Sequence, residues 1–258
     1  MHRHSHQERE ARLSRALGWV LLVLVACGPA AARAESDPQS AIMSYSFVEV
    51  DFAPFFNSPI KFADGASLTG WGVAGIISHA FHENWHLRAT YLWSDSDTDS
   101  FVLLPDPITG EELLEGKLGL ERQSISIMPH FNYRVAKNTD IFLGLGAVYE
   151  DIDFNVRLSD RLDLENPLEA NLGSSGWGVA GRAGARSRVW RGLELFGDFN
   201  ISSTGLLENE VLFNLGARWD FWDKAALSVG ATAGTDSFIR VFLGVRLYYG
   251  EIYRRVKN

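Results

Sequence analysis

Cysteine is nearly missing from this 258-residue chain: Cys27 stands alone, so no disulfide can form within it. Long apolar runs are missing too. Beyond residue 34 no stretch approaches the ~20 apolar residues of a membrane helix, so a chain that crosses a bilayer must do so as a closed sheet. Basic charge is in deficit, with 24 Lys and Arg against 32 Asp and Glu and a net charge of -8, which argues against a nucleic-acid partner. Histidine is scarce: beyond residue 34 there are only His79, His82, His86 and His130.

The N-terminus reads as a leader. Arg3, Arg9, Arg12 and Arg15 form a basic region, Ala16 to Ala26 an apolar one, and Ala32-Arg33-Ala34 a small-residue cleavage site. The apolar part is too short to span a bilayer. Leu24-Val25-Ala26-Cys27 has the look of a lipoprotein signal, but Pro29 and the alanine-rich stretch behind it favour cleavage after Ala34 over lipidation of Cys27. Without the five Arg and two Glu of residues 1–34, 19 basic residues face 30 acidic ones, a net charge of -11. No linker or low-complexity run divides the rest. One domain, 35–249, followed by a short tail, 250–258, is the expected organisation.

Alternation organises that domain. The hexapeptide Gly-Trp-Gly-Val-Ala-Gly occurs twice, at residues 70–75 and 176–181, each time after a polar segment and before alternating apolar residues. Val48, Val50 and Phe52 alternate with Glu49 and Asp51; Trp85, Leu87, Ala89, Tyr91 and Trp93 with His86 and Arg88; Ile125 and Ile127 with Arg122 and Ser126. Further along, Val179 and Ala183 oppose Arg182 and Arg186, Leu193 and Leu195 oppose Glu194 and Asp198, and the last strands oppose Val211 to Arg218 and Val241 to Arg240 and Arg246. The pattern predicts an all-β fold of about ten antiparallel strands, or eight if the weak ones merge. Tight turns fall near residues 81–84, 136–139 and 190–192. Loops are expected near Asn57 to Leu68, Asp95 to Leu118 and Arg157 to Ser174.

Two architectures fit ten alternating strands: a soluble β-sandwich and an up-and-down transmembrane β-barrel. Tryptophan placement favours the barrel, because Trp71, Trp85, Trp93, Trp177, Trp190, Trp219 and Trp222 all fall at or beside expected strand ends, where a sandwich would place its large rings mid-strand. Trp71, Trp93 and Trp177 would form an upper girdle at the membrane interface; Trp85, Trp190, Trp219 and Trp222, with Tyr45, Tyr133 and Tyr249, a lower one. The other face carries Glu49, Asp51, Arg88, Arg122, Arg182, Arg186, Glu194, Asp198, Arg218, Arg240 and Arg246, which reads as a polar lumen inside a lipid-facing shell.

These residues resemble the small outer-membrane β-barrels of Gram-negative bacteria, the OmpA/OmpX-like, porin-superfamily group. The resemblance covers about Ser44 to Tyr249 and lies in Tyr45-Ser46-Phe47-Val48-Glu49, both Gly-Trp-Gly segments, Glu83-Asn84-Trp85-His86-Leu87 and Asn138-Thr139-Asp140-Ile141. Gly244-Val245-Arg246-Leu247-Tyr248-Tyr249 is similar to the C-terminal signal read by the barrel-assembly machinery. It departs from that signal at Phe242 and in the extension Gly250 to Asn258, whose Arg254, Arg255 and Lys257 would lie in the periplasm. The resemblance implies an exported outer-membrane protein in contact with lipid and lipopolysaccharide. It implies function weakly, since such barrels serve as adhesins, enzymes, pores and structural proteins.

Little catalytic chemistry is legible, and no cofactor or metal site is expected. His79, His82 and His86 sit near an expected periplasmic turn, the wrong end for a rim enzyme. His130 faces the lumen, but Ser126, four residues away on the same face, is about 13 Å off at ~3.4 Å per residue. Asp95, Asp97 and Asp99 begin like a calcium loop but lack the glycine at its sixth position and carry Asp106 at its twelfth. The expectation is a non-enzymatic barrel with a structural or surface-interaction role and a lumen filled by ion pairs. A narrow porin is the alternative, and a lipid-modifying or proteolytic barrel the third reading. What the outer loops bind is not written in one sequence.

Overall fold

A computed structural model describes residues 45–59, 67–98, 101–105, 112–136, 138–160, 168–190, 192–205, 210–222, 224–234 and 239–249. The leader with Cys27, the C-terminal tail, Asp99 and Asp106 lie outside these residues. The strands are β1 (Phe47–Pro59), β2 (Ser67–His82), β3 (Trp85–Thr98), β4 (Phe101–Pro105), β5 (Glu112–Ala136), β6 (Thr139–Asp160), β7 (Leu168–Trp190), β8 (Leu193–Ser203), β9 (Glu210–Trp222), β10 (Ala225–Gly234) and β11 (Ile239–Tyr248). Sequence neighbours pair antiparallel all the way round, and β1 closes on β11 with Phe47 opposite Tyr248. β3 and β4 lie in succession along β5, which meets Asp97 at Gly119 and Phe101 at Gly116. Eleven strands therefore make a closed barrel of ten staves, with no helix among the described residues. Closure leaves the sheet no edge around the ring.

Side chains sort by parity into two opposite environments. Outward residues such as Leu143 and Leu145 are 63% and 70% exposed, while inward Ser78, His130 and Asp198 are almost fully buried. Among the described residues the buried set holds fifteen polar or charged side chains and ten apolar ones. A water-soluble sandwich buries its apolar face, so this inverted pattern excludes it and requires an apolar solvent outside.

Stave lengths are uneven. β5, β6 and β7 run for 25, 22 and 23 residues, while β8 to β11 have 10 to 13. About 9–11 tilted residues cross a bilayer, so the three long staves continue more than ten residues beyond it. They do so at the end away from the tight turns at Glu83-Asn84, Asn138, Gly192 and Lys224. Gly192 takes φ +74°, a left-handed conformation that a β-branched or bulky residue would resist. β8 ends opposite Val179, so among the described residues Leu168 to Trp177 of β7 pair only with β6.

This overturns two expected loops. Most of Asp95 to Leu118 is strand, divided among β3, β4 and β5, and most of Arg157 to Ser174 belongs to β6 and β7. Beyond the bilayer the alternation persists but reverses: in β6 Ile152, Phe154 and Val156 take the inward parity, with Ile152 almost fully buried, while Asp151, Asp153 and Asn155 take the outward one, so the apolar outer face that marks a membrane strand is gone. The tryptophan placement needs the same correction: Trp71, Trp93 and Trp177 stand inside strands that continue past them, not at strand ends. Asp95 and Asp97 stand on β3 rather than in a calcium loop, and no group of three metal-binding side chains occurs among the described residues.

Candidate functional site: the charged lumen

Every stave sends alternate side chains inward, and the eleven charges singled out from the sequence all line a lumen cavity of about 240 Å³. They form three levels. Nearest the tight turns is a floor of ion pairs. Glu49 accepts hydrogen bonds from Arg246 at 2.6 Å, Ser228 at 2.6 Å and Arg218 at 3.4 Å. Arg218 also pairs with Glu194 and donates to Ser228 at 3.1 Å. Arg186 lies 3.7 Å from Asp140 and 4.0 Å from Glu194. Arg134 reaches the same Asp140 at 3.4 Å. These contacts join β1 and β5 through β11, so the floor ties one side of the barrel to the other. Buried charges of both signs, each with several partners, are the arrangement that offsets the cost of desolvation.

Aromatic rings complete the floor. The Arg246 guanidinium lies 3.4 Å from the centroid of Phe47, and that of Arg186 lies 3.6 Å from the centroid of Tyr45. Tyr45 was expected in the lower girdle; it instead points inward, donates to Asp140 at 3.1 Å and stacks on His86 at 4.6 Å. Ser78 of β2 holds the Tyr45 carbonyl at 2.6 Å while the ring turns into the lumen, where a carboxylate, a guanidinium and an imidazole satisfy a tyrosine better than lipid does. His86, set aside as lying at the wrong end, is buried and stacks on His130 at 4.7 Å, its Nδ1 2.8 Å from Asn132 Nδ2. His130 Nδ1 lies 3.1 Å from the carbonyl of Met128, not near Ser126. Gly144 faces this ring so closely that a Cβ would come 2.4 Å from it.

The middle level is looser. Arg182 donates to Asp198 at 2.6 Å, and Asn200 and Asn214 donate to the other carboxylate oxygen at 2.7 and 2.8 Å. Thr232 holds Asn214 in turn at 2.6 Å. Arg88, Asp51 and Arg240 share this space. Asp51 Oδ1 rests against Gly244, where a Cβ would come 1.8 Å from it. That oxygen and Arg88 Nε are buried without a hydrogen-bond partner.

A roof closes the upper level. Arg122 grips Glu210 through both terminal nitrogens, at 2.9 and 2.7 Å, and turns its Nε to Glu150. Thr204 donates to Glu150 at 2.7 Å. This fork joins β5 and β6 to β9 across the lumen. Asp140, Glu150 and Glu210 were not singled out from the sequence, although all three share the inward parity of residues that were.

The tryptophans lie on the outer wall. Trp71 meets Trp93 edge-on at 4.7 Å, Trp93 donates to Glu121 at 3.0 Å, and Trp177 lies 5.1 Å from Tyr149. Toward the other end Trp85 meets Phe131 at 5.2 Å, and Trp190, Trp219 and Trp222 are exposed.

A closed antiparallel barrel with an apolar exterior and an ion-paired interior is the architecture of bacterial outer-membrane proteins. The chain belongs to that class by sequence as well: residues 19–221 match the outer membrane protein beta-barrel domain family, and the chain is a member of it. Its place is the bacterial outer membrane. No curated protein matches the chain by sequence. Among solved structures the chain is similar to the translocator domain of the autotransporter NalP from Neisseria meningitidis, at 10% identity and TM-score 0.52, covering 81% of this chain and 91% of that one. It is likewise similar to the transport unit of the autotransporter AIDA-I from Escherichia coli, at 10% identity and TM-score 0.50, covering 81% and 92%. An outer membrane channel from Pseudomonas putida F1 aligns at 9% identity and TM-score 0.44, covering 84% and 100%. At such identities the likeness is one of fold.

Proposed function

We propose that this barrel is a non-enzymatic surface-interaction protein whose lumen is shut to free diffusion. The carrying observation is the wall formed by β4 to β7, which projects beyond the bilayer on one side of the barrel only, a platform that serves no purpose in crossing the membrane. Its β7 edge from Leu168 to Trp177 offers backbone donors and acceptors to a partner strand. The ion-paired floor beneath argues against a porin, since a solute passing it must separate several buried charge pairs at once. The imidazole pair argues against a hydrolase: His130 is turned to its own strand's carbonyl rather than to a nucleophile.

In this reading residues 1–34 are the export leader and 250–258 a periplasmic tail. Trp71, Trp93 and Trp177 mark the outer interface beside lipopolysaccharide, and Trp85, Trp190, Trp219 and Trp222 the inner one. The last strand is the piece presented to the barrel-assembly machinery. Two measurements test the proposal. An Asn155→Cys variant should react with a membrane-impermeant maleimide on intact cells, and the purified protein in a planar bilayer should show no steady conductance. Labelling only after permeabilisation would put the wall on the wrong side; a steady open current would restore the porin.

A further inference from the structure

The three levels of the lumen differ in how well their charges are matched. In the floor Arg186, Arg218 and Arg246 are answered by Glu49, Asp140 and Glu194; in the roof Arg122 is answered by Glu150 and Glu210. Between them lie Arg88, Arg182 and Arg240 with Asp51 and Asp198; Asp198 is engaged by Arg182 and two asparagines, and Arg240 lies in the field of Glu210. Arg88 is the least provided for. It makes no hydrogen bond among the described residues, its Nε is sealed from solvent, and Arg182 faces it as a like charge. Arg88 has Glu49 and Asp198 in its field but hydrogen-bonds to neither, and a guanidinium buried that way beside a like charge is costly, a cost that a further anion would offset. Beside it lies open space, the cavity of about 240 Å³ that Arg88, Arg182 and Arg240 all line.

We infer that this mid-lumen level is a binding site for a small oxyanion, a phosphate or a short carboxylate, held principally by Arg88 with Arg182 and Arg240 contributing positive potential. The chemistry fits in three respects. A planar guanidinium presents paired N–H donors in a fork that matches two oxygens of a carboxylate or phosphate. The neutral donors lie at hand, since Ser124, Ser126, Thr90 and Asn200 line the same space. The cavity is smaller than the ~300–1,000 Å³ of pockets for drug-sized ligands, which limits the occupant to a small anion with its water. Entry is from the outer side: the floor is a mesh of buried pairs, whereas the roof is the single fork of Arg122, whose partner Glu210 is 29% exposed. This goes beyond the surface role and does not depend on it, because a shut floor is compatible with a site open from above.

The test is calorimetric titration of the detergent-refolded barrel with inorganic phosphate and, separately, with acetate, at constant ionic strength set by chloride. Saturable one-site binding of either anion is expected, with the Arg88→Gln variant weakened about tenfold or more and Arg88→Lys, which keeps the charge but loses the fork, falling between. Heat-modifiable mobility on a denaturing gel checks that each variant is folded; Arg88→Gln removes a buried charge that makes no hydrogen bond among the described residues and should fold at least as well as the parent. The phosphate and acetate arms tell which oxyanion the site takes. Absence of saturable binding by both anions to the parent protein overturns the site, whatever the variants do. Binding that Arg88→Gln leaves unchanged overturns the assignment to Arg88.

Discussion

His86 and His130 lie opposite each other on β3 and β5, their rings stacked at 4.7 Å and inclined by 8°, and Gly144 on β6 leaves the space that the His130 ring fills. A methyl at residue 144 would meet ring atoms at 2.4 to 2.8 Å, so one of the two must move. Gly144→Ala should therefore destabilise the barrel by about 1–3 kcal/mol, the usual cost of overpacking, read as a lower urea midpoint of the refolded protein. The double variant Gly144→Ala/His130→Ala should be less unstable than the sum of the two singles. Strict additivity would mean the glycine is there for another reason.

The floor makes a stronger demand. Glu49 is the shared acceptor for Arg246, Arg218 and Ser228, and Glu49→Ala takes from buried Arg246 the carboxylate it pairs with and leaves Arg218 with Glu194. Removing one member of a buried ion pair costs about 3–5 kcal/mol, enough to lower the yield of heat-modifiable, folded protein. A midpoint shifted by less than about 1 kcal/mol would mean that water already reaches the floor.

The outer wall gives the converse test. Leu145 is 70% exposed within the bilayer-crossing part of β6, where a soluble protein would accept arginine at almost no cost. Against lipid, Leu145→Arg should cost about 2–4 kcal/mol near the bilayer midplane, measured as the folding equilibrium in vesicles. The same substitution should be much milder in a detergent micelle that deforms around it. Equal, small effects in both media would be evidence against a lipid-facing wall.

Trp71 belongs to an aromatic pair on that wall, set edge-on to Trp93. Trp71→Ala should slow insertion into vesicles and reduce assembled protein in the outer membrane, while anion titration of whatever folds stays at the parental value. A changed anion affinity with normal insertion would show that the ring serves the lumen instead.

Much of this was written in the chain. The two-residue period with a different chemistry on each face specifies strands and says which side chains share a surface, because successive side chains of a strand point to opposite sides. From that came the all-β strands and the inward set of Arg, Asp and Glu, and tryptophan placement added the barrel. Beyond the bilayer the phase of that period reverses, because water replaces lipid outside: Asp151, Asp153 and Asn155 take the outward parity and Ile152 the inward one. An apolar outward face therefore ends at the membrane, and the projecting wall looks like loop in sequence.

Partnership across the lumen was beyond any local rule. Glu49 and Arg246 are 197 residues apart in sequence, and nothing near either one says that they share a hydrogen bond at 2.6 Å. Closure of the ring brings them together. The same closure turns Tyr45 inward onto Arg186, sets His86 against His130, and leaves Arg88 beside an open space without an acceptor. Parity is a property of each strand by itself; depth, pairing and the arginine left without a hydrogen bond at mid-lumen belong to ten staves wound around a common axis, and only the tertiary structure decided them.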